Sequence, residues 1–151
     1  EHPMKNTKWD ETKLYAFELM CCILPLWKRA DPPRREYIAT IIDDILFVNA
    51  CIKRFWSGLR SLLTLNKPYG KCTKQHRIPR KVGITELFDW MTFDTTFEEW
   101  EREIVKYLVH DITTSDENRD LMKWQVEGVF LTPELSYEQA GIVMIDETYQ
   151  S

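Results

Sequence analysis

An apolar stripe at helical spacing runs through residues 33–64 and constrains the fold more than any other feature of this sequence. Its members recur at intervals of three or four residues, with two adjacent pairs: Ile38, Ile41, Ile42, Ile45, Val48, Ile52, Phe55, Trp56, Leu59 and Leu63. At 3.6 residues per turn these positions fall on one helical face that extends over about seven turns. Phe47 falls on the opposite side, so we expect other elements to surround this helix and make it the centre of the fold.

Shorter helices are predicted from apolar spacing and from capping residues. A first helix over residues 9–24 should end or kink at Pro25, because proline lacks an N–H donor and clashes with the preceding turn. Asp31 followed by proline is typical of an N-cap with proline at the first helical position. Residues 95–98 and residues 114–117 match capping boxes, which predicts that two further helices begin there.

The last thirty residues change from helical to strand-like periodicity. Residues 124–131 alternate and are rich in valine, and residues 142–145 form a compact apolar run. Thr132 followed by proline predicts a short helix between them, which Gly141 can end. The predicted class is α+β and helix-dominated, with about five helices, one of them long and central, and a small C-terminal sheet of about two to three strands. At 151 residues a single domain is expected.

Residues 67–81 are the most basic part of the chain and contain no acid. Two prolines and a glycine interrupt regular hydrogen bonding there, so the sequence predicts an exposed loop. Residues 1–66 hold ten bases and eight acids, whereas residues 82–151 hold four bases and sixteen acids. On a chain of net charge −4, such a loop is favoured where an anion or an acidic surface meets it. The predicted nucleic-acid-binding residues are Lys67, Lys71, Lys74, His76, Arg77, Arg80 and Lys81.

Carboxylates follow the basic loop and supply candidate catalytic groups. Residues 82–84 are typical of a short strand or an extended lead-in, and Thr85 is a candidate N-cap for the helical turn after it. Glu86 and Asp89 are three residues apart, which places both on one face of such a turn. Mg²⁺ prefers oxygen ligands and activates water for phosphodiester hydrolysis, so we expect Glu86 and Asp89 to be catalytic. The predicted Mg²⁺ ligands are Glu86, Asp89 and Asp94.

In size, in its order of helices and strands, and in its basic loop followed by Glu86, the chain resembles orphan proteins encoded by filamentous viruses of hyperthermophilic archaea. That group includes an α+β nuclease that acts on double-stranded DNA and has a fold distantly similar to nucleotidyltransferases. The resemblance implies a metal-dependent endonuclease or exonuclease of viral origin in the host cytoplasm, with DNA favoured over RNA as its partner.

Two other functions stay open at the level of the sequence. The same loop would serve a non-enzymatic nucleic-acid-binding protein, whose affinity would depend on salt. It would equally serve a helical protein-interaction module that docks on an acidic partner, or it would neutralise the chain's own acidic half. Single residues also have simpler interpretations, because Glu86 suits the first turn of a helix after an N-cap and His76 suits a surface position.

Cysteine spacing and apolar content predict the compartment. Cys21, Cys22, Cys51 and Cys72 lack the spacing of a disulfide framework, so we expect reduced thiols in the core of a cytoplasmic protein. No run of about eighteen consecutive apolar residues is present, so no membrane partner is expected. A homodimer is an assembly that the sequence allows.

Overall fold

A computed structural model describes residues 7–50 and 52–147 of the chain. The chain divides into two compact units, Glu1–Ile52 with Arg80–Leu108 and Lys53–Pro79 with Val109–Ser151, where the sequence predicts one domain. Because each unit combines two separated segments, no single linker divides the chain into two consecutive domains. We call the first the helical unit and the second the sheet unit.

The helical unit is built from four helices in the described residues. They are α1 (Thr7–Arg29), α2 (Pro32–Leu46), α3 (Arg80–Trp90) and α4 (Phe97–Leu108). Helix α1 packs against each of the other three, and aromatic side chains fill the space between them. Trp27 of α1 stacks on Phe88 of α3 with ring centroids 4.5 Å apart, and Phe17 lies 5.6 Å from the buried Trp100 of α4. Aromatic packing of this kind explains the high proportion of tryptophan and phenylalanine in this part of the chain.

Helix α1 continues through Pro25, so of the two alternatives expected for this proline, the one in which it ends the helix is wrong. The turn beyond it carries Trp27, whose side chain is 1% exposed and whose Nε1 donates to Asp89 Oδ1 at 3.0 Å. An interior proline costs about 3 kcal/mol, whereas burying about 200 Å² of tryptophan contributes roughly 5 kcal/mol. Tertiary packing of Trp27 therefore outweighs the local cost of the proline.

Helix α2 ends at Leu46, so the predicted helix over 33–64 is wrong beyond that residue. A turn follows, and Trp56–Ser61 form strand β1. Within β1, Gly58 has a φ of 91°, which side-chain-bearing residues rarely adopt. Strand β1 has partners on both edges, and those partners satisfy backbone groups that a helix would have satisfied internally. The N-terminal prediction is confirmed, because Asp31 accepts a hydrogen bond from the backbone N–H of Arg34 at 3.1 Å.

The sheet unit contains four strands and two α-helices in the described residues. They are β1, β2 (Thr73–His76), β3 (His110–Thr113), α5 (Ser115–Leu121), α6 (Pro133–Ala140) and β4 (Met144–Asp146). The strand order is β2-β3-β1-β4, with β1 and β3 parallel and the other two pairs antiparallel. His76 lies opposite His110, and Gln75 lies opposite Asp111. Since side chains alternate along a strand, the two histidines share one face of the sheet and Asp111 lies on the other.

Helix caps in the C-terminal half agree with the sequence. Thr114 forms the predicted capping box at the start of α5, and Thr132 caps α6, which ends at Gly141 with a φ of 73°. The box at the start of α4 is displaced by one residue from the predicted position. Thr96 and Glu99 form it, with distances of 3.2 Å and 2.9 Å between each side-chain oxygen and the other residue's backbone nitrogen.

Two short segments differ from the sequence-based expectation. Residues 82–84 and Thr85 lie inside α3 rather than in a strand followed by an N-cap, because the helix begins at Arg80 and buries Ile84. Residues 124–131 form no strand, because Trp124 ends a 3₁₀ helix and bends, turns and irregular backbone follow it. The valines there are about half exposed, so their alternation does not reflect burial. The sheet gains its additional strands from β1, β2 and β3. The class is α+β, helix-dominated, with a small four-stranded mixed sheet.

The described residues also bear on the membrane and cysteine predictions. Within them, no helix combines the length and the apolar character that crossing a bilayer requires. Cys72 is buried and Cys21 is half-buried, but Cys22 is exposed, so the expectation of a core position is wrong for Cys22. One residue further along α1, its side chain projects about 100° further round the helix. Cys51 lies outside the described residues.

Candidate nucleic-acid interface

Residues 67–81 do not form the single exposed loop that the sequence predicts. They comprise a 3₁₀ turn at Tyr69–Lys71, strand β2 and the first two residues of α3. Strand β2 pairs with β3, so its backbone groups have partners within the sheet. The acid-free region also begins earlier than residue 67, because residues 53–79 contain seven bases and no acid.

Four lysines of this acid-free region form what we call the lysine cluster: Lys53, Lys67, Lys71 and Lys74. The first three are exposed and Lys74 is half-buried. Across residues 7–50 and 52–147, none of the four lies within ion-pair distance of a carboxylate. Four positive charges without a neutralising acid repel one another, and a bound polyanion would relieve that repulsion.

Tyr69 fixes the geometry of the lysine cluster. Its ring centroid lies 4.5 Å from Lys74 Nζ and 5.8 Å from Lys53 Nζ, within the range of cation–π attraction. The Tyr69 hydroxyl is 2.6 Å from Nε2 of His110, which is fully buried, and its ring lies 5.5 Å from Trp56. Because the ring is held from two sides, the two ammonium groups are positioned before any ligand binds.

Lys74 retains part of its hydrogen-bonding capacity. Its Nζ donates to the backbone oxygens of Tyr69 at 3.2 Å and Cys72 at 3.0 Å. An ammonium group has three N–H donors, and in the described residues only these two have an acceptor. The third is available to an anion.

Arg60 holds the loop that carries Lys67. It is 6% exposed, and its guanidinium donates to the Thr64 backbone oxygen at 2.7 Å, to Thr64 Oγ1 at 3.2 Å and to the Lys67 backbone oxygen. It also pairs with Glu147 at 3.1 Å. Since these bonds use most of its five donors, Arg60 supports the loop structurally and adds no charge to the surface.

Three of the predicted nucleic-acid-binding cations are engaged by carboxylates of the same unit. In the sheet unit, Arg77 pairs with Asp111 at 2.8 Å and with Glu134. In the helical unit, Arg80 Nε lies 2.6 Å from Asp43 Oδ1, and Lys81 Nζ lies 3.1 Å from Glu36 Oε2. The Arg77 pairs correspond to the alternative in which the basic segment neutralises the chain's acidic half, whereas Asp43 and Glu36 belong to residues 1–66. The predicted set therefore divides into these three paired cations, His76, and three lysines of the lysine cluster that have no carboxylate partner in the described residues.

His76 is not a surface residue, because its side chain is 5% exposed. It lies in β2, and its ring centroid is 6.1 Å from that of His110. A buried histidine at this position packs beneath the sheet surface instead of reaching a phosphate chain. His76 therefore belongs to the support of the lysine cluster.

The predicted catalytic carboxylates all lie in the helical unit. Glu86 and Asp89 are exposed on α3, and Asp94 is exposed in the turn before α4. Asp89 accepts a hydrogen bond from Trp27 Nε1 at 3.0 Å, which gives it a structural contact. In the part of the chain that the structure describes, no three histidine, cysteine or acidic side chains come together as metal ligands.

The most enclosed carboxylate is one that the sequence did not point to. Asp111 in β3 is fully buried and accepts hydrogen bonds from Ser57 Oγ, from Arg77 Nη1 at 2.8 Å and from the Tyr137 hydroxyl at 2.5 Å. Burial raises the pKa of the Asp111 carboxyl, and the three donors oppose that shift without overcoming it. Burial and the negative charge of Asp111 also raise the pKa of Tyr137 far above its ordinary value, so its hydroxyl remains a donor.

Sequence reasoning missed two residues of these sites for different reasons. Lys53 lies before residues 67–81, the segment chosen from its charge and prolines. A search for the acid-free stretch that includes residues 53–79 would have added Lys53 to the predicted binding residues. Asp111 has no such signal, because its partners Ser57, Arg77 and Tyr137 come from three distant segments.

The described residues form an α+β protein in which Lys53 and Lys74 lie over the Tyr69 ring without a carboxylate partner in that part of the chain. Comparison with protein-family models, with curated proteins and with solved structures found no match.

Proposed function

We propose that this protein binds the phosphate backbone of nucleic acid through the lysine cluster. The observation that carries the proposal is that, in residues 7–50 and 52–147, no carboxylate lies within ion-pair distance of four lysines of the acid-free segment. Two of these lysines lie within 5.8 Å of the Tyr69 ring. Lysine ammonium groups bind phosphate as point charges, and counterions released from nucleic acid drive the association. Because the chain as a whole has a net charge of −4, attraction has to come from a local positive surface.

The lysine cluster suits backbone recognition better than base recognition. Lysine lacks the fixed fork of donors with which arginine recognises base edges. Two arginines of the acid-free segment, Arg60 and Arg77, are already engaged by carboxylates of the sheet unit. We therefore expect affinity that depends weakly on base sequence and strongly on salt. Double-stranded DNA is the first substrate to test, with RNA second.

The test compares two variants that change the net charge equally. The first replaces three exposed members of the cluster: Lys53→Gln, Lys67→Gln and Lys71→Gln. The control replaces three exposed bases of the helical unit: Lys8→Gln, Arg29→Gln and Arg102→Gln. Binding of a fluorescent 30-base-pair duplex is measured by anisotropy between ~50 and ~200 mM salt.

The cluster variant should lose affinity by about tenfold per lysine at ~50 mM salt, and its salt slope should fall by roughly 0.9 per phosphate contact. The control should keep the slope of the natural protein. Equal losses in the two variants would mean that overall charge, and not the cluster, determines binding. No binding by the natural protein at ~50 mM salt would overturn the proposal.

Hydrolysis by Glu86 and Asp89 with Mg²⁺ stays a prediction from the sequence, and the same preparation tests it. Supercoiled plasmid is incubated with Mg²⁺ or with chelator, beside Glu86→Ala and the control Glu98→Ala, which alters another exposed acid of the helical unit. Cleavage that requires Mg²⁺ and is lost only in Glu86→Ala would extend the function to a nuclease. Binding without cleavage would leave nucleic-acid binding as the function.

A further inference from the structure

Helix α2 carries an exposed stripe that plays no part in the core of the helical unit. Arg34, Tyr37, Ile41 and Asp44 are spaced by three, four and three residues, so they lie along one side of the helix. The exposed fractions are 76% for Tyr37, 52% for Ile41 and 75% for the Arg34 side chain, and Asp44 is also exposed. We call these four residues the α2 stripe.

The core is served by a different side of the same helix. Ile38, Ala39, Ile42 and Leu46 are the buried residues of α2. An aromatic and a β-branched side chain left outside the core are not needed to hold α2 in place. Adjacent large apolar side chains exposed together are typical of an interaction surface.

The side chains of the α2 stripe complement those of an identical stripe that runs in the opposite direction. Read forwards it is cation, aromatic, aliphatic, acid; read backwards it is acid, aliphatic, aromatic, cation. A C₂ dimer brings the same patch of both subunits together, so each residue meets a different residue of the identical patch. The α2 stripe satisfies that requirement in both its charges and its apolar residues.

We propose that the α2 stripe is a homodimer interface in which α2 packs antiparallel against α2 of a second copy of this chain. In one register, Tyr37 faces Ile41 of the partner subunit, and Arg34 faces Asp44 of the partner subunit. Both contacts occur twice because of the two-fold axis. The stripe spans eleven residues from Arg34 to Asp44, about 15 Å along the helix, so both kinds of contact form along one straight line.

A concavity on α2 supports this register. It has a volume of about 500 Å³ and is lined by Pro32, Pro33, Glu36, Tyr37 and Thr40. In the proposed register, Ile41 of the partner subunit lies beside Tyr37 and therefore next to this concavity. An apolar side chain that enters it would lose its contact with water on both sides.

The interface formed by one helix stripe per subunit is small. Stable dimers bury about 1,200–2,000 Å² in total, and smaller interfaces are transient. We therefore expect a reversible dimer with a Kd of roughly micromolar size. Sedimentation velocity between ~1 and ~500 µM protein, without nucleic acid, measures this association.

Charge reversal at the ends of the stripe tests the register. Arg34→Glu alone, or Asp44→Arg alone, converts two attractive contacts into two repulsive ones and should raise the Kd about ten- to thirtyfold. Arg34→Glu combined with Asp44→Arg restores opposite charges at both contacts and should return the Kd to near its natural value. All three variants should fold, because both side chains are exposed and the Asp31 cap bonds the backbone of residue 34. The ion pair of Arg34 with Asp31, at 3.8 Å, is also solvent-exposed, so its loss costs at most about 1 kcal/mol.

Two controls make each outcome decisive. Arg102→Glu reverses an exposed charge on α4 and should leave the Kd unchanged. Ile41→Asn removes the apolar contact and should abolish the dimer at the concentrations used. A protein that stays monomeric at ~500 µM would overturn the proposal, since even weak specific contacts are populated there. So would a dimer whose Kd is insensitive to both single reversals, or one that the double reversal does not restore.

Discussion

Replacing Asp111 with alanine removes the acceptor on which three buried or half-buried donors converge. Ser57 Oγ, Arg77 Nη1 and the Tyr137 hydroxyl all bind this carboxylate. Arg77 would keep only Glu134, whose side chain is 68% exposed. We expect Asp111→Ala to be among the most destabilising substitutions in the sheet unit.

The magnitude follows from burial. Because burial outweighs the three donors and raises the pKa of Asp111, the ion pair itself contributes less than its contacts suggest. The cost comes from the donors left without an acceptor, at about 1–3 kcal/mol each, and breaking a buried pair costs about 3–5 kcal/mol in total. For a chain of this length the midpoint of thermal unfolding should fall by about 6 to 20 °C.

The assay is thermal and urea unfolding followed by circular dichroism, with a matched control. Asp116→Ala removes the same type of side chain from an ion pair with Arg119 in which both partners are more than two-thirds exposed, at 82% and 71%. An exposed pair contributes at most about 1 kcal/mol. If Asp111→Ala costs no more than Asp116→Ala, the argument from burial is refuted.

The same carboxylate makes stability depend on pH with a defined sign. An unfolded aspartate has a pKa near ~3.9, and burial raises the pKa of Asp111 in the folded protein. Between the two values the folded state keeps a proton that the unfolded state releases. The contribution of Asp111 is thus fully present below pH ~3.9 and is lost as the pH rises through its folded pKa. Asp111→Asn, measured across this range, should lack that loss.

Two local predictions concern helices. Gly83→Ala places a Cβ 2.9 Å from Cδ1 of Tyr107, which is only 2% exposed and has no room to move. Overpacking costs about 1–3 kcal/mol and exceeds the gain of about 1 kcal/mol in helix propensity, so urea unfolding should show a net loss; a more stable variant would contradict this. Thr114→Ala removes the N-cap of α5 and should lower the stability of that helix by about 1 kcal/mol. Relative to the natural protein, amide hydrogen exchange should become faster in α5 and stay unchanged in α6. The effect should stay local, because Glu117 keeps its 2.6 Å bond with Ser61.

Elements governed by local chemistry were predictable from the sequence. The caps at Asp31, Thr114 and Thr132 depend on residues within four positions of each other, as a pattern search can read. Helix α4 was predictable for the same reason, since its apolar residues recur on one face and are buried. Its capping box was displaced by one residue because adjacent threonines both match the pattern.

Elements governed by distant contacts were not predictable. The helix through Pro25 depends on Trp27 packing against α3, about sixty residues later. The end of α2 depends on β1 finding two strands far along the chain. Beyond Leu46 the helical spacing over 33–64 does not report burial, because Trp56 and Leu59 are only half-buried in β1 and Leu63 is exposed. Periodicity alone does not separate a helix from a short strand.

The residues of the candidate interface also differ in whether local sequence or distant contacts determine their role. Lys67 and Lys71 were identified from charge alone, and they are exposed. Arg77, Arg80 and Lys81 looked equivalent in the sequence, but each meets a carboxylate at least 34 positions away. Charge composition identifies a basic segment, whereas the pairing of each base depends on the tertiary fold.

The register of β2 and β3 has a consequence for how the chain can be shortened. His76 faces His110, and the next backbone bond runs from Arg77 N to Val109 O at 3.2 Å, as at the closed end of a hairpin. Everything between those two residues is therefore an excursion that leaves and re-enters the sheet at one point. A tight Asn-Gly turn in its place would be geometrically able to join β2 directly to β3. In chain order, the sheet unit is thus an α+β unit interrupted between β2 and β3 by the segment that carries α3 and α4.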